Sequence, residues 1–169
     1  VFPTGVRSGA RVWHSAEFLE RVATLDTAGV RTVAVIGGGQ SAAEVIEQMY
    51  HRCPDAQIHS VISRFGLIPS DASPYANRIF DPQAVGEQYD AAPEVRQALT
   101  DAHRNTNNSV VNPETIAALY DLEYRDRWLE RERLVWHRAA RVESVREDYR
   151  SPGVQLALHE TLTGQHPVL

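Results

Sequence analysis

The apolar positions change their period along the chain, and each change predicts an element. Near the start, Phe18, Leu19 and Val22 share one helical face behind Ser15, a side chain suited to capping, with Glu17 in the first turn. Thr32-Val33-Ala34-Val35-Ile36 is a nearly continuous β-branched and small apolar run, as in a strand buried on both faces of a parallel sheet. Gly37-Gly38-Gly39 follows at once. From Gln40 to Arg52 the residues Ala42, Val45, Ile46, Met49 and Tyr50 recur at helical spacing, with Glu44, Glu47 and His51 outward. Pro54-Asp55 ends this helix, and Ile58 to Ile62 reads as a second strand. The unit is β-α-β, long enough for a right-handed crossover.

The character changes from Gly66 to about Glu132. Pro69, Pro74 and Pro82 break the chain, and helical stretches follow. Asn112-Pro113-Glu114 predicts a helix start, with a capping side chain, proline at the first position and an acid in the first turn. Ile116, Leu119, Tyr120, Tyr124 and Trp128 would form its apolar face. The β pattern returns at Arg133. Leu134-Val135-Trp136 suggests another parallel strand, Val154, Leu156 and Leu158 alternate cleanly, and Val142 to Glu147 alternates poorly. Ser151-Pro152-Gly153 suits a hairpin turn between the last two segments. The predicted fold is α/β: a Rossmann-like parallel sheet with a GxGxxA turn, interrupted by a mainly helical insertion and followed by a β-hairpin. On this division residues 1–65 and 133–169 form a dinucleotide-binding domain and residues 66–132 the insertion.

Composition narrows the function. The 169 residues carry a net charge of −5, which argues against a nucleic-acid or anionic-membrane surface. No apolar run is long enough to span a bilayer, the start lacks the pattern of a signal peptide, and Cys53 is the single cysteine. A cytoplasmic, reducing location is the expectation. Val1-Phe2-Pro3 begins without methionine and Pro167-Val168-Leu169 stops as if entering a strand, so the chain reads as a piece of something longer.

Gly37-x-Gly39-x-x-Ala42 sits between a buried strand and a helix, the context a dinucleotide fingerprint requires. Gly37 permits the tight turn, Gly39 lets the backbone approach a pyrophosphate, and Ala42 keeps helix and strand close. Ser41 opens a helix N-terminus whose N–H groups and partial positive charge suit phosphates. An NAD site usually ends the second strand in an acid that takes the ribose 2′-hydroxyl. Here that strand ends Ile62-Ser63-Arg64, and a hydroxyl with a guanidinium suits a 2′-phosphate, which favours NADPH. The competing readings are a glycine turn that binds nothing and a solvated Arg64.

Other constellations are weaker. Seven histidines raise the question of a metal, but His51-x-Cys53 has no second cluster to complete it and the other histidines look like surface or loop positions, so no metal is expected. His14 beside Ser15 is no nucleophile–base pair. Trp13, Trp128 and Trp136 read as core or edge packing.

Four segments in order carry a resemblance: His14-Ser15-Ala16-Glu17-Phe18, Gly37 to Glu44, Ser73-Pro74-Tyr75-Ala76-Asn77, and Asn105-Thr106-Asn107-Asn108-Ser109-Val110-Val111. Together they resemble the siderophore-pathway N-hydroxylating flavin monooxygenases that act on the side-chain amine of L-ornithine or L-lysine, the ornithine type more than the lysine type. The resemblance implies that Gln40 lies near flavin and nicotinamide as the catalytic-site residue, that Ser41 touches the NADPH phosphates and that Arg64 meets the 2′-phosphate. It implies that Asn77 and Asn107 hold the amino-acid head group, to which amides offer both donors and acceptors. Arg78, Asn108 and Asn112 stand where the family commonly has Glu, Tyr and Asp. The family passes a hydride from NADPH to FAD, and the reduced flavin then activates O₂ for attack by the neutral amine. One glycine fingerprint is present where such an enzyme needs two, so an FAD domain of the same polypeptide is the expected partner and the chain alone is expected to be inactive. The alternatives are the NAD(P)H domain of another flavoenzyme, such as a Baeyer–Villiger or disulfide-reductase relative, and a non-catalytic nucleotide-binding module. Oligomeric state is left open, with a homo-oligomer compatible.

Overall fold

The computed structural model describes residues 9, 11–103, 109–148 and 153–169. Strands β1 (Thr32–Ile36) and β2 (Gln57–Val61) pair in parallel, Thr32 beside Gln57 and Ile36 beside Val61. Helix α2 (Gln40–Arg52) makes the crossover between them, and α1 (Phe18–Ala23) precedes both. Strand β3 (Leu134–His137) continues the parallel sheet beyond β2, Ile58 beside Leu134, so the order is β1-β2-β3. The second strand starts and ends one residue before the span the sequence predicts, and the third is the parallel strand expected.

Side-chain alternation divides the sheet into two faces. On one, Val35, Ile58 and Leu134 pack against Ala43, Ile46, Met49 and Tyr50 of α2, with Trp136 partly buried among them. On the other, Val61 packs beneath Ala140, Leu156 and Leu158. These come from β4 (Ala140–Asp148) and β5 (Gly153–Glu160), an antiparallel hairpin laid against the sheet. The weak alternation of β4 has a local cause. The register shifts between Val142 and Ser144, and such a bulge breaks the period of two. Residues 151–152 of the expected hairpin turn lie outside the described residues.

Between β2 and β3 the chain forms α3 (Pro74–Asn77), α4 (Pro82–Asp90), α5 (Pro93–Ala102) and α6 (Pro113–Trp128), each opened by a proline whose missing N–H costs a helix nothing at its first position. The helix α6 packs on α2 with part of the expected face, Ile116 and Leu119, but not the rest. Leu119, Leu122 and Asp126 are buried, whereas Tyr120, Tyr124 and Trp128 are exposed, Trp128 at 74%. The spacing admits two phases one residue apart, and a buried carboxylate selects the other. Asp126 accepts from Tyr50 Oη at 2.5 Å and from Arg131 Nε at 3.0 Å. Burial and the adjacent Asp126 push the Tyr50 phenol up, so it remains a donor. Arg133, stacked 3.9 Å over the Tyr50 ring, donates to the carbonyls of Tyr50 (2.7 Å), Cys53 (2.9 Å) and Ala56 (3.3 Å), closing the C-terminal end of α2 against the start of β3.

The first helix also differs from expectation. Ser15 does not cap it: residues Ser15–Glu17 form a tight 3-10 turn with His14 Nδ1 accepting from Ala16 N, and the α-helix begins at Phe18. Phe18 and Val22, four apart, face the core, and Leu19, one residue round, is 79% exposed. Trp13 packs on the core edge as expected.

Candidate functional site

The C-terminal ends of β1 and β2 place the glycine turn and Arg64 at one edge of the sheet. Gly37 N donates to Val61 O at 3.0 Å, holding the turn to the neighbouring strand. Its φ of +137° suits glycine alone, and a Cβ there would stand 3.3 Å from Ala42 Cβ. The contact explains the small residue at the third fingerprint position. Gly39 is the N-cap of α2 and has no side chain to close the helix end, and the first turn carries no acid. The amides of that turn and their partial positive charge therefore face outward beside the exposed Ser41.

The space a Cβ would take at Gly39 is bounded by Ser109, whose Cα it would meet at 3.4 Å. Ser109 is the first described residue after 103, and its backbone lies across the turn in the left-handed region, φ 55°. Arg64 Nη1 donates to Ser109 O at 3.0 Å, so Gly39 and Arg64 meet the same residue. Three residues on, Asn112 N donates to Gln40 Oε1 at 2.8 Å, while Gln40 Nε2 donates to Thr115 Oγ1 at 3.2 Å and Glu44 Oε1 at 2.9 Å. Val110 and Val111 between these contacts are buried, and Val111 N donates to Ile68 O at 2.9 Å. The segment 109–115 is thus a strap that ties the helical insertion onto the glycine turn.

The predicted residues that the structure describes can now be placed. Gly37, Gly39, Gln40, Ala42 and Arg64 come together around this strap, with Ser41 and Ser63 exposed at the same edge. Asn77 closes α3 and is tied to its own loop, Nδ2 donating to Ala72 O at 3.2 Å. Ser73 caps that helix through Ala76 N, and its own N–H on Asp71 holds the Asp71 carboxyl below the usual range. Arg78 is exposed and pairs with Asp81 at 3.6 Å. Asn107 and Asn108 lie outside the described residues. Asn112 heads α6, but its side chain makes no cap; Ser70 Oγ donates to its Oδ1 at 3.4 Å.

Sequence reasoning gave Ser109, Asn112 and Thr115 no role at the turn. Ser109 lies within the segment Asn105–Val111, but only a fold places its backbone on Gly39. The histidines also need correction. His59 and His137 are strand residues, their rings stacked with centroids 5.3 Å apart and Nδ1 to Nε2 at 3.0 Å. Gln57 Oε1 meets the other nitrogen of His59 at 3.1 Å, and Glu160 lies 3.6 Å from His137 Nδ1. They are diagonal neighbours across β2 and β3, visible only once the register is known. Among the described residues no three His, Cys, Asp or Glu side chains are grouped to hold a metal ion. Burial pushes the Cys53 thiol up, away from the thiolate form.

An open groove of about 640 Å³ runs between the end of α6, β3 and the end of β5, lined by Asp126, Arg131, Trp136, Arg138 and Glu160 among others. None of the predicted site residues lines it. A helix N-terminus receives phosphates at an exposed edge, so the groove's size does not make it the better candidate.

The family model described as L-lysine 6-monooxygenase/L-ornithine 5-monooxygenase matches residues 1–169. An L-ornithine N(5)-monooxygenase of Burkholderia cepacia is 37% identical over 120 residues, 69% of this chain and 27% of its own length. The ornithine N-hydroxylase of Kutzneria sp. 744, solved with reduced FAD, NADP⁺ and L-ornithine, superposes with a TM-score of 0.92 at 35% identity, covering 99% of this chain and 40% of that one. The ornithine hydroxylase of Pseudomonas aeruginosa gives 0.88 at 29% identity, covering 98% and 38%. The chain therefore spans between about a quarter and two-fifths of the length of these relatives.

Proposed function

Because the chain belongs to the L-lysine 6-monooxygenase/L-ornithine 5-monooxygenase family, we propose that it is the NADPH-binding and substrate portion of an FAD-dependent monooxygenase that N-hydroxylates the side-chain amine of L-ornithine or L-lysine, in siderophore or related biosynthesis. The overall reaction balances as amine, O₂, NADPH and a proton giving hydroxylamine, NADP⁺ and water. Residues 1–65 and 133–169 form the Rossmann-like nucleotide domain and residues 66–132 the substrate insertion. When bound, NADPH and FAD supply the two electrons and the activation of oxygen.

The observation that carries this reading is the juxtaposition at one sheet edge of an uncapped helix N-terminus and Arg64. The amides opening α2, with Ser41, receive the pyrophosphate, and Ser63 and Arg64 receive the 2′-phosphate. The donor set fits that group. The helix end offers N–H groups with no acid in its first turn, and among the described residues no carboxylate forms an ion pair with Arg64. Gln40, which stands between turn and insertion, would contact the nicotinamide and flavin when they are bound. Asn77 and Asn107 take the carboxylate and ammonium of the amino acid.

Thermal unfolding with NADPH and with NADH tests the nucleotide assignment. A ligand at a hundred times its Kd stabilises by about 2.7 kcal/mol, so selective stabilisation by NADPH is the expected result. No response to either nucleotide refutes it and favours a non-catalytic module. Amine specificity is then read with FAD present, from hydroxylamine formed with ornithine and with lysine.

A further inference from the structure

We propose that Ser109 is a positioning residue that aims Arg64, and that it thereby sets the preference for a phosphorylated adenosine ribose. The inference rests on the nucleotide reading above and adds to it a residue from the insertion. An arginine side chain loses rotamer freedom when fixed, so a guanidinium already held in place binds a phosphate more tightly than a free one. Arg64 is held through a single N–H, Nη1 to Ser109 O at 3.0 Å. A guanidinium has five N–H donors, so four remain for a phosphate. The partner is also neutral. A carboxylate in its place would compete with the phosphate for the cation, whereas a carbonyl orients the guanidinium and leaves its charge unspent.

The direction of that carbonyl is a property of Ser109 itself. Its φ of 55° is uncommon for a residue with a Cβ, and a return to the extended region would swing the carbonyl away from Arg64. Two neighbours hold the conformation. Gly39 presents a bare Cα to Ser109, with room for a Cβ only at 3.4 Å from Ser109 Cα. On the other side Val111 is fully buried and bonded to Ile68 and Ser70, which fixes where the strap leaves. The insertion therefore reaches Arg64 through one backbone carbonyl, two residues after the expected substrate asparagine, Asn107.

The test measures Kd for NADPH and for NADH by calorimetry on the full chain, for the native protein and for Arg64→Ala, Ser109→Gly, Ser109→Asn, Ser109→Ala and Ser109→Val. Glycine and asparagine tolerate the left-handed region and should keep the NADPH preference within about twofold. Valine disfavours it, and should lose the preference about as fully as Arg64→Ala, roughly tenfold or more, with NADH binding unchanged. In Arg64→Ala combined with Ser109→Val, measured alongside them, the losses should not add, because both act through one guanidinium. Should the valine variant fail to fold, Ser109→Ala against Ser109→Gly gives the same comparison with a smaller difference. Equal weakening of NADPH and NADH binding by Ser109→Val, additive losses, or an unchanged preference overturns the role of Ser109 while leaving Arg64 in place. An unchanged NADPH affinity in Arg64→Ala overturns the nucleotide reading of Arg64, and this inference falls with it.

Discussion

The amide oxygen of Gln40 accepts from the backbone N–H of Asn112 at 2.8 Å, across 72 residues of sequence. A side chain in the first turn of α2 thereby occupies the place of a cap at the head of α6, whose own Asn112 side chain provides none. The glycine turn and the last helix before β3 are joined by one amide group.

This predicts that Gln40→Leu frees the Asn112 amide and costs about 1 kcal/mol, since the site is only partly buried. Gln40→Glu keeps an acceptor for Asn112, loses the donor to Thr115 and sets a second carboxylate beside Glu44. Amide hydrogen exchange should show Asn112 unprotected in the leucine variant and protected in the glutamate variant. Equal protection in the two would mean that Gln40 does not hold the strap.

The two outer glycines of the turn predict different losses. Gly37→Ala places a side chain at φ +137° and 3.3 Å from Ala42 Cβ, so the fold itself pays, by roughly 1–3 kcal/mol. Gly39→Ala sits at an ordinary φ of −105° and meets Ser109 Cα at 3.4 Å, so the strap is displaced by little. Urea unfolding should separate them, with a clear loss of stability for Gly37→Ala and a small one for Gly39→Ala. Nucleotide binding should fall in both. A Gly39→Ala variant as unstable as Gly37→Ala would contradict this geometry.

How far the sequence carries depends on whether a feature is local. The strand–turn–helix from Thr32 to Arg52 is legible because a β-branched run, three glycines and a helical period follow one another without ambiguity. The face of α6 is not, because its choice was made at a distance. Tyr50 and Arg131 bury a carboxylate that any pattern assigns to the surface. The glycine and arginine positions of the candidate site are readable, since phosphate chemistry demands those residue types near a strand end. Ser109 and Thr115 are not, since what they contribute is a backbone direction and a hydroxyl brought from the far end of an insertion.

The buried link between α2 and α6 makes a further prediction. Asp126 is 3% exposed and both its recorded donors meet the same oxygen, Oδ1. Tyr50→Phe removes one donor from a buried carboxylate while leaving the ring that packs under Arg133. The expected loss is about 1–3 kcal/mol of stability, read from the denaturant midpoint. Tyr50→Phe combined with Asp126→Asn should cost less than the sum of the two single changes, because they share one interaction. Additive losses would show that the two residues stabilise the fold independently.

Acid stability should report on the histidine pair. The His59 ring titrates below its ordinary value of 6.5, first because burial penalises the cation and then because His137 stands beside it. Gln57 and Glu160 flank the pair, and Glu132, whose charge acts the other way, is the weaker influence. The folded chain therefore binds this proton less readily than the unfolded chain does. The contribution of neutral His59 is complete above 6.5 and declines as pH falls from there through the folded value. The denaturant midpoint of the native chain should drop as pH falls below about 6.5, and that of His59→Gln, which cannot take up the proton, should drop less. Asp71, held below its ordinary 3.8, acts only at lower pH and leaves this window undisturbed. If the two proteins decline in parallel, the pair is not what senses the proton, and the stacking of β2 on β3 through His59 and His137 carries no pH dependence of its own.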